Sequence, residues 1–404
     1  MKIAIVTLPL NVNYGGILQA YALKSMLEAM GHEVTILDLK DKIWKPIWWK
    51  APAIYMKRLV VKLLKGSSAP EVFRESRLER ELPIVSRKLA EFVADKMNVR
   101  SLKTYAEVKE GEYDTFVVGS DQVWRPSYAA DIYDNFLAFT KDWDVVRVAY
   151  AASFGTSELE FEYTQLERCA ELLSRFNAVS VREDAAVRMC DEWLDCDRAV
   201  HVLDPVMLLT RDQISDLTAG RDSDRYKGKV VSYILDRAPH KFNVLNFVCR
   251  ALQKDSEDVS AYPADASISL DDRLMRPLEE WLAAFESSEF IVTDSFHGCV
   301  LSILLHKPFL VVGNRSRGVS RIESLLKIFD LEYRLVDAID PDDDGQGWLT
   351  EVDWDRVDEI LNDRKNQSLS FLSESLSLSS FLSEIDITEE AKYCACVIRK
   401  DDHQ

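Results

Sequence analysis

The first forty residues run strand, loop, helix, strand, and that order restricts the fold more than any other stretch. "KIAIVTL" is β-rich, "ILQAYALKSMLEAM" has helical spacing with Gly31 placed to stop it, and "EVTILDL" is the next strand. A helical crossover makes the flanking strands parallel, and a parallel sheet needs helices on its faces. The alternation continues through "DTFVVGSD" (114–121), "VVRVAYAASFG" (145–155), "NAVSVREDAAVRMCDEWL" (177–194) and "AVHVLDPVMLL" (199–209). Beyond a charged stretch, a second alternation begins, with "VVSYIL", "DVSAY", "EFIVTD" and "PFLVVG" as strands. A chain of 404 residues is also long for one core. The sequence therefore predicts an α/β fold of two Rossmann-like domains facing a cleft, 1–209 and 228–350, with the boundary near 205–228. Residues 351–404 form a C-terminal helical extension or tail, and the Ser/Leu-rich "NQSLSFLSESLSLSSFLSEI" within it is expected to be a helix.

Composition narrows the function. A net charge of −18 opposes nucleic-acid binding, because phosphates would be repelled. No apolar run reaches the ~20 residues that span a bilayer, and the opening strand and loop lack the form of a signal peptide. The seven cysteines are scattered without zinc-like spacing, which fits reduced thiols in a cytoplasmic protein and no metal. Cys394 and Cys396 are the close pair, in the tail.

In parallel α/β sheets ligands bind beyond the carboxyl ends of the strands. Polar residues collect there in this chain. Asn13, Tyr14, Gly15 and Gly16 follow the first strand. Gly119, Ser120, Asp121, Gln122 and Trp124 follow "DTFVV", Ser153 follows "RVAYA", and Arg182 with Glu183 follows "AVSV". In the second half, Asp294, Ser295, Phe296, His297 and Gly298 follow "EFIVT". Each has a plain structural alternative: paired glycines permit a tight turn, Asp121 or Asp294 caps a helix, and Arg182 with Glu183 is a surface ion pair. Several unlike polar groups at one topological level make the functional case.

With "NYGGILQAYAL", "VVGSDQVW", "AYAASFG", "SVRE", "LDPVMLL" and "TDSFHGCVLSILLHKPF" in this order, the chain resembles the polysaccharide pyruvyltransferase family. The resemblance runs from residue 13 to about 326 and implies a two-domain fold like that of GT-B glycosyltransferases. It also implies transfer of pyruvate from phosphoenolpyruvate, as co-substrate, onto two sugar hydroxyls as a cyclic ketal, with no further cofactor.

That chemistry needs a general acid for the methylene carbon of the donor, and the reference pKa of histidine, ~6.5, suits it. His297 matches the histidine of the family and Arg182 its arginine. The helix amino terminus disfavours a charged imidazole, so His297 is expected to be a poor acid until the anionic donor binds. Arg315, Arg317 and above all Arg321 offer a phosphate grip from the second domain. Asn13, Tyr14, Gly15, Gly16, Ser120, Asp121, Ser153, Asp294, Ser295 and Gly298 are the other expected substrate-binding positions.

Residues 42–70 carry seven Lys or Arg and no acid, with Trp44, Trp48 and Trp49 ahead of a helix. Arg58, Lys62 and Lys65 share one face of it, and Met56, Leu59, Val60 and Leu63 another. Such a helix fits the surface of an anionic membrane, which suits a polyprenyl-diphosphate-linked acceptor and a peripheral place at the inner face. The plain alternative is an insertion packed on its own domain. Two other functions remain open: a glycosyltransferase using a nucleotide sugar, and a non-catalytic glycan-binding protein of a polysaccharide-assembly complex.

Overall fold

The first sheet contains β1 (Lys2–Val6), β2 (Glu33–Leu39), β3 (Val99–Leu102), β4 (Thr115–Asp121), β5 (Val146–Ala152), β6 (Ala178–Val181) and β7 (Val200–His201). In this computed structural model, which describes residues 1–40, 49–65, 71–314, 318–339 and 347–384, these strands pair in the order β3-β2-β1-β4-β5-β6-β7. All pairs are parallel. β4 and β5 are buried at every position, as expected of strands covered on both faces.

The second sheet contains β8 (Val230–Tyr233), β9 (Ser256–Asp258), β10 (Phe290–Thr293), β11 (Phe309–Val312) and β12 (Leu335–Val336), again parallel, in the order β12-β11-β10-β8-β9. The strand expected over "DVSAY" ends at Asp258, so Ala261 and Tyr262 lie beyond it and line the cleft.

Strand order reverses between β1 and β4 in one sheet and between β8 and β10 in the other. Backbone ends diverge at such points and leave a crevice. Both crevices open on the same cleft, lined by Asn13 and Asp121 from one sheet and by Leu235 and His297 from the other.

One continuous apolar cluster runs beneath both halves, from Ile3 and Leu18 to Trp281 and Val300. Its bridge is aromatic. Tyr14 stacks on Trp281 with centroids 4.9 Å apart, and Tyr233 meets Trp281 edge-on at 5.1 Å. Each such pair adds ~0.5–1.5 kcal/mol beyond area burial. The long helix Trp354–Glu384 returns to the first half, where Ser368 Oγ accepts from Leu203 N at 3.0 Å and Lys365 Nζ donates to Leu209 O at 2.7 Å. Its serines satisfy their hydroxyls on carbonyls four residues back, as at Ser368 and Ser375, which is how a Ser-rich segment stays helical. Cys394 and Cys396 lie outside the described residues.

The insertion contains the helix Ala51–Lys65, with Trp44 and Trp48 outside the described residues. Leu63 and Leu64 are 78% and 80% exposed, and Met56, Leu59 and Val60 are exposed as well. Arg58, expected on the basic face, instead makes a two-pronged bond to Glu75 at 2.9 and 3.0 Å, so Lys57 and Lys62 carry the exposed positive charge. Among the described residues no helix is long and apolar enough to cross a membrane.

The buried pair of Asp294 and Lys241, 2.7 Å apart with both side chains sequestered, fixes the carboxyl end of β10. Removing one partner leaves a buried charge uncompensated, at a cost of ~3–5 kcal/mol. Lys241→Ala should lower the unfolding free energy by about that amount in urea denaturation, whereas exposed Lys57→Ala should leave it unchanged.

Candidate active site

The floor of the cleft is a charge network built from both sheets. Arg182, just past β6, donates from Nη1 to Asp204 Oδ2 at 2.8 Å and from Nη2 to Asp121 Oδ1 at 3.2 Å. Asp204 also accepts from Ser120 Oγ at 3.2 Å and stands 3.6 Å from His297 Nε2. That last separation is too long for a formed hydrogen bond. Burial pushes the Asp204 carboxyl up, but the adjacent His297 and Arg182 more than offset it and hold the group below its ordinary range. Asp121 has the same balance: burial raises it, and Arg182 followed by His297 brings it down. Asp121 also takes a positive φ of 73°, a backbone region that non-glycine residues seldom enter.

His297 is the second residue of the helix Phe296–Leu304, whose amino end is capped by Ser295 Oγ accepting from Gly298 N at 3.4 Å. The imidazole lies against Gly15, at the start of the helix Tyr14–Ala29: a Cβ on Gly15 would stand 2.1 Å from His297 Nδ1. Gly15 is therefore required by the approach of a side chain from the opposite sheet. Gly16 has a Cβ position 2.8 Å from Asn13 Nδ2, which lets Asn13 turn toward Asp121 Oδ2 at 3.4 Å. Gly298 makes room for Thr293 in the same way, at 2.2 Å.

Two guanidiniums flank the Phe296 ring, Arg182 at 4.3 Å and Arg321 at 5.6 Å from its centroid. Arg321 enters from the helix Ser320–Ile328. Burial and then repulsion by Arg182 push its pKa down to about 10. An anion in the cleft would offset both effects.

Of the expected site residues, Asn13, Tyr14, Asp121, Asp294, Ser295, His297 and Arg321 line the cleft, a cavity of about 440 Å³. The others stand behind it. Ser120 is fully buried and held by Ala151 O and Asp204, while Ser153 Oγ donates to Glu183 Oε1 at 2.9 Å. Arg182 has only 1% of its side chain exposed and two of its nitrogens already on carboxylates, so it organises the floor. Tyr14 donates its hydroxyl to Arg276 O at 3.1 Å and serves the contact between halves. The Asp294 carboxylate accepts from Leu235 N, Asp236 N, Lys241 and Asn314, which ties down the turn after β8. Arg315 and Arg317 lie outside the described residues.

Two contributors, Asp204 and Gln19, have no separate signal in the sequence pattern, and Glu183 stands at the expected level beside Arg182 without a role assigned to it. Asp204 belongs to the quoted "LDPVMLL", and its Oδ1 caps the following turn by accepting from Val206 N at 3.0 Å, so local geometry accounts for it. Only its second oxygen reveals the network. Gln19 sits inside an apolar helix and joins Ser120 N, Gly16 O and Thr7 Oγ1. Glu183 is buried, which raises its pKa despite Arg182, and its Oε2 has no hydrogen-bond partner. Among the described residues no His, Cys, Asp and Glu group could hold a metal ion.

The sequence model of the family described as polysaccharide pyruvyl transferase matches residues 13–316, a span that contains this network except Thr7 and Arg321. The chain belongs to the polysaccharide pyruvyl transferase family. It is thus a transferase, and the floor of its cleft lies within the matched span. No curated protein sequence is a significant match. Solved structures similar to this pyruvyl transferase include the glycotransferase of kitacinnamycin, 14% identical over 95% of this chain and 98% of that one, with a TM-score of 0.40. A UDP-glucosyltransferase from Polygonum tinctorium is 11% identical over 94% and 98%, at 0.42. UDP-GlcNAc 2-epimerase from Neisseria meningitidis is 12% identical over 90% and 100%, at 0.41.

The tight seat of His297 generates a prediction. Gly15→Ala must displace the imidazole, and misplacing a reacting group by ~1 Å costs on the order of 10²-fold in rate. The variant should stay folded by circular dichroism and lose about that factor in transferase activity.

Proposed function

We propose that this enzyme moves pyruvate from phosphoenolpyruvate onto two hydroxyls of a sugar in a surface or capsular polysaccharide precursor, with His297 as general acid. The observation that carries this reading is the pairing of His297 with buried Asp204 at the floor of a cleft that also receives Arg321. Arg321, with the amino ends of Ser320–Ile328 and Phe296–Leu304, supplies positive potential for the donor's carboxylate and phosphate.

In this mechanism His297 protonates the methylene carbon of the donor, and the first sugar hydroxyl attacks the adjacent carbon. The second hydroxyl then replaces phosphate at that carbon. Two carbon–oxygen bonds to the sugar form and the bond to phosphate breaks. Of the two hydroxyl protons, one restores His297 and the other leaves on phosphate. Asn13 and Asp121, on the opposite wall, are the groups that would orient the hydroxyls.

The exposed apolar face of the helix Ala51–Lys65, with Lys57 and Lys62, supports a place for the enzyme on the cytoplasmic face of an anionic membrane, where a polyprenyl-diphosphate-linked acceptor would be presented.

Two outcomes test these proposals. Phosphate release from phosphoenolpyruvate, measured with a panel of sugar and lipid-linked acceptors, should depend on acceptor and fall by ~10²–10⁴-fold in His297→Ala; release that survives the change returns His297 to a structural role. Leu63→Glu with Leu64→Glu should lower co-sedimentation with phosphatidylserine-containing vesicles by more than about tenfold, since each buried leucine is worth ~1.5–3 kcal/mol. Activity on a soluble acceptor should not change, and unchanged co-sedimentation sinks the membrane reading.

A further inference from the structure

A second cavity of about 340 Å³ opens at the carboxyl ends of β1 and β2, beside the cleft, and Tyr128 lines both. Its size is at the small end for ligand pockets, ~300–1,000 Å³, and suits one compact unit. Tyr128 is 42% exposed, and its orientation is set by the Arg125 guanidinium 4.7 Å from the ring centroid. Arg125 is itself held by Glu160 and by Gln122 Oε1. In the floor, Thr7 Oγ1 donates to Ser120 O at 3.3 Å, so the cavity rests on the same hub that supports Asp204.

The lining has the chemistry of a site for a neutral, hydroxyl-rich ligand. Asp134 is half-buried, and its carboxyl makes no hydrogen bond among the described residues. Burial and then repulsion by Asp131 push it up to about 6. Lys40 and Lys103 face the same space. An anion would meet the two acids and a cation the two lysines, whereas vicinal hydroxyls can donate to the former and accept from the latter. Leu8, Pro9 and the Tyr128 ring give an apolar wall for the C–H face of a pyranose.

We propose that this cavity binds a second sugar residue of the acceptor, next to the residue that takes up pyruvate, so that the enzyme reads at least a disaccharide. Resting on the pyruvyl-transfer reading for the role of the bound sugar, the proposal adds Tyr128 and Asp134 as specificity-determining residues. Isothermal titration of the full chain tests it, using methyl glycosides of galactose, glucose and N-acetylmannosamine and the same sugars bearing a second hexose. At least one disaccharide should bind about tenfold tighter than its methyl glycoside, a difference of ~1.4 kcal/mol. That advantage should vanish in Ala130→Trp, which fills the cavity from its exposed rim, and in Asp134→Ala, with the methyl glycoside's Kd unchanged. Equal binding of both forms, a disaccharide advantage that survives both substitutions, or no binding of any sugar would overturn the subsite. Phosphate release on the same preparations separates the two ideas: turnover without a disaccharide advantage removes the subsite alone, and the advantage without turnover removes the donor reading alone.

Discussion

Everything in the cleft depends on how a buried Asp204 is kept ionised. Taking a carboxylate out of water costs several kcal/mol, and only close, well-directed cations and donors return that energy. Arg182 and Ser120 do so from the first sheet, and His297 does so from the second. The same carboxylate thus brings groups of both halves together beside the imidazole that lines the cleft. Arg182 is used up in this arrangement, since Asp121 and Asp204 both claim it. Arg321 also lines the cleft, and burial followed by repulsion from Arg182 opposes its charge.

This arrangement would reconcile an acidic protein with the anionic donor proposed above. A net charge of −18 is spread over the surface, where salt screens it within ~8 Å. Within the cleft the field is local: Arg182 is balanced by Asp121 and Asp204, and Arg321 with two helix amino termini supplies the positive potential. Buried charges at short range outweigh screened ones at long range.

Much of the fold was legible in the sequence, because strands buried on both faces appear as apolar runs and their polar ends mark the ligand level. Gly15 and His297 could each be placed at a strand-to-helix junction, yet only the structure brings them into contact across the two sheets. Asp204 was hidden because its capping bond explains it without a second role. Arg182 and Asp294 were identified as polar residues at the right level, but residue type alone says nothing about occupancy. Arg182 has spent two of its nitrogens on carboxylates, and Asp294 is engaged by four donors. Long-range pairing decides which polar residues remain available to a ligand, and sequence spacing does not contain it.

The proposed second sugar site and the exposed helix share an origin in the chain. Lys40, at the end of β2, lines the second cavity, and the amphipathic helix begins at Ala51. A glycan tethered to a membrane lipid arrives with its carrier end near the bilayer and its far sugars away from it. Binding one sugar beside Tyr128 while another reaches His297 fixes which way along the glycan the enzyme reads. With both proposed attachments on one chain, the effective concentration of the acceptor hydroxyls at the cleft would rise, so neither the lipid contact nor the sugar contact would have to be tight on its own.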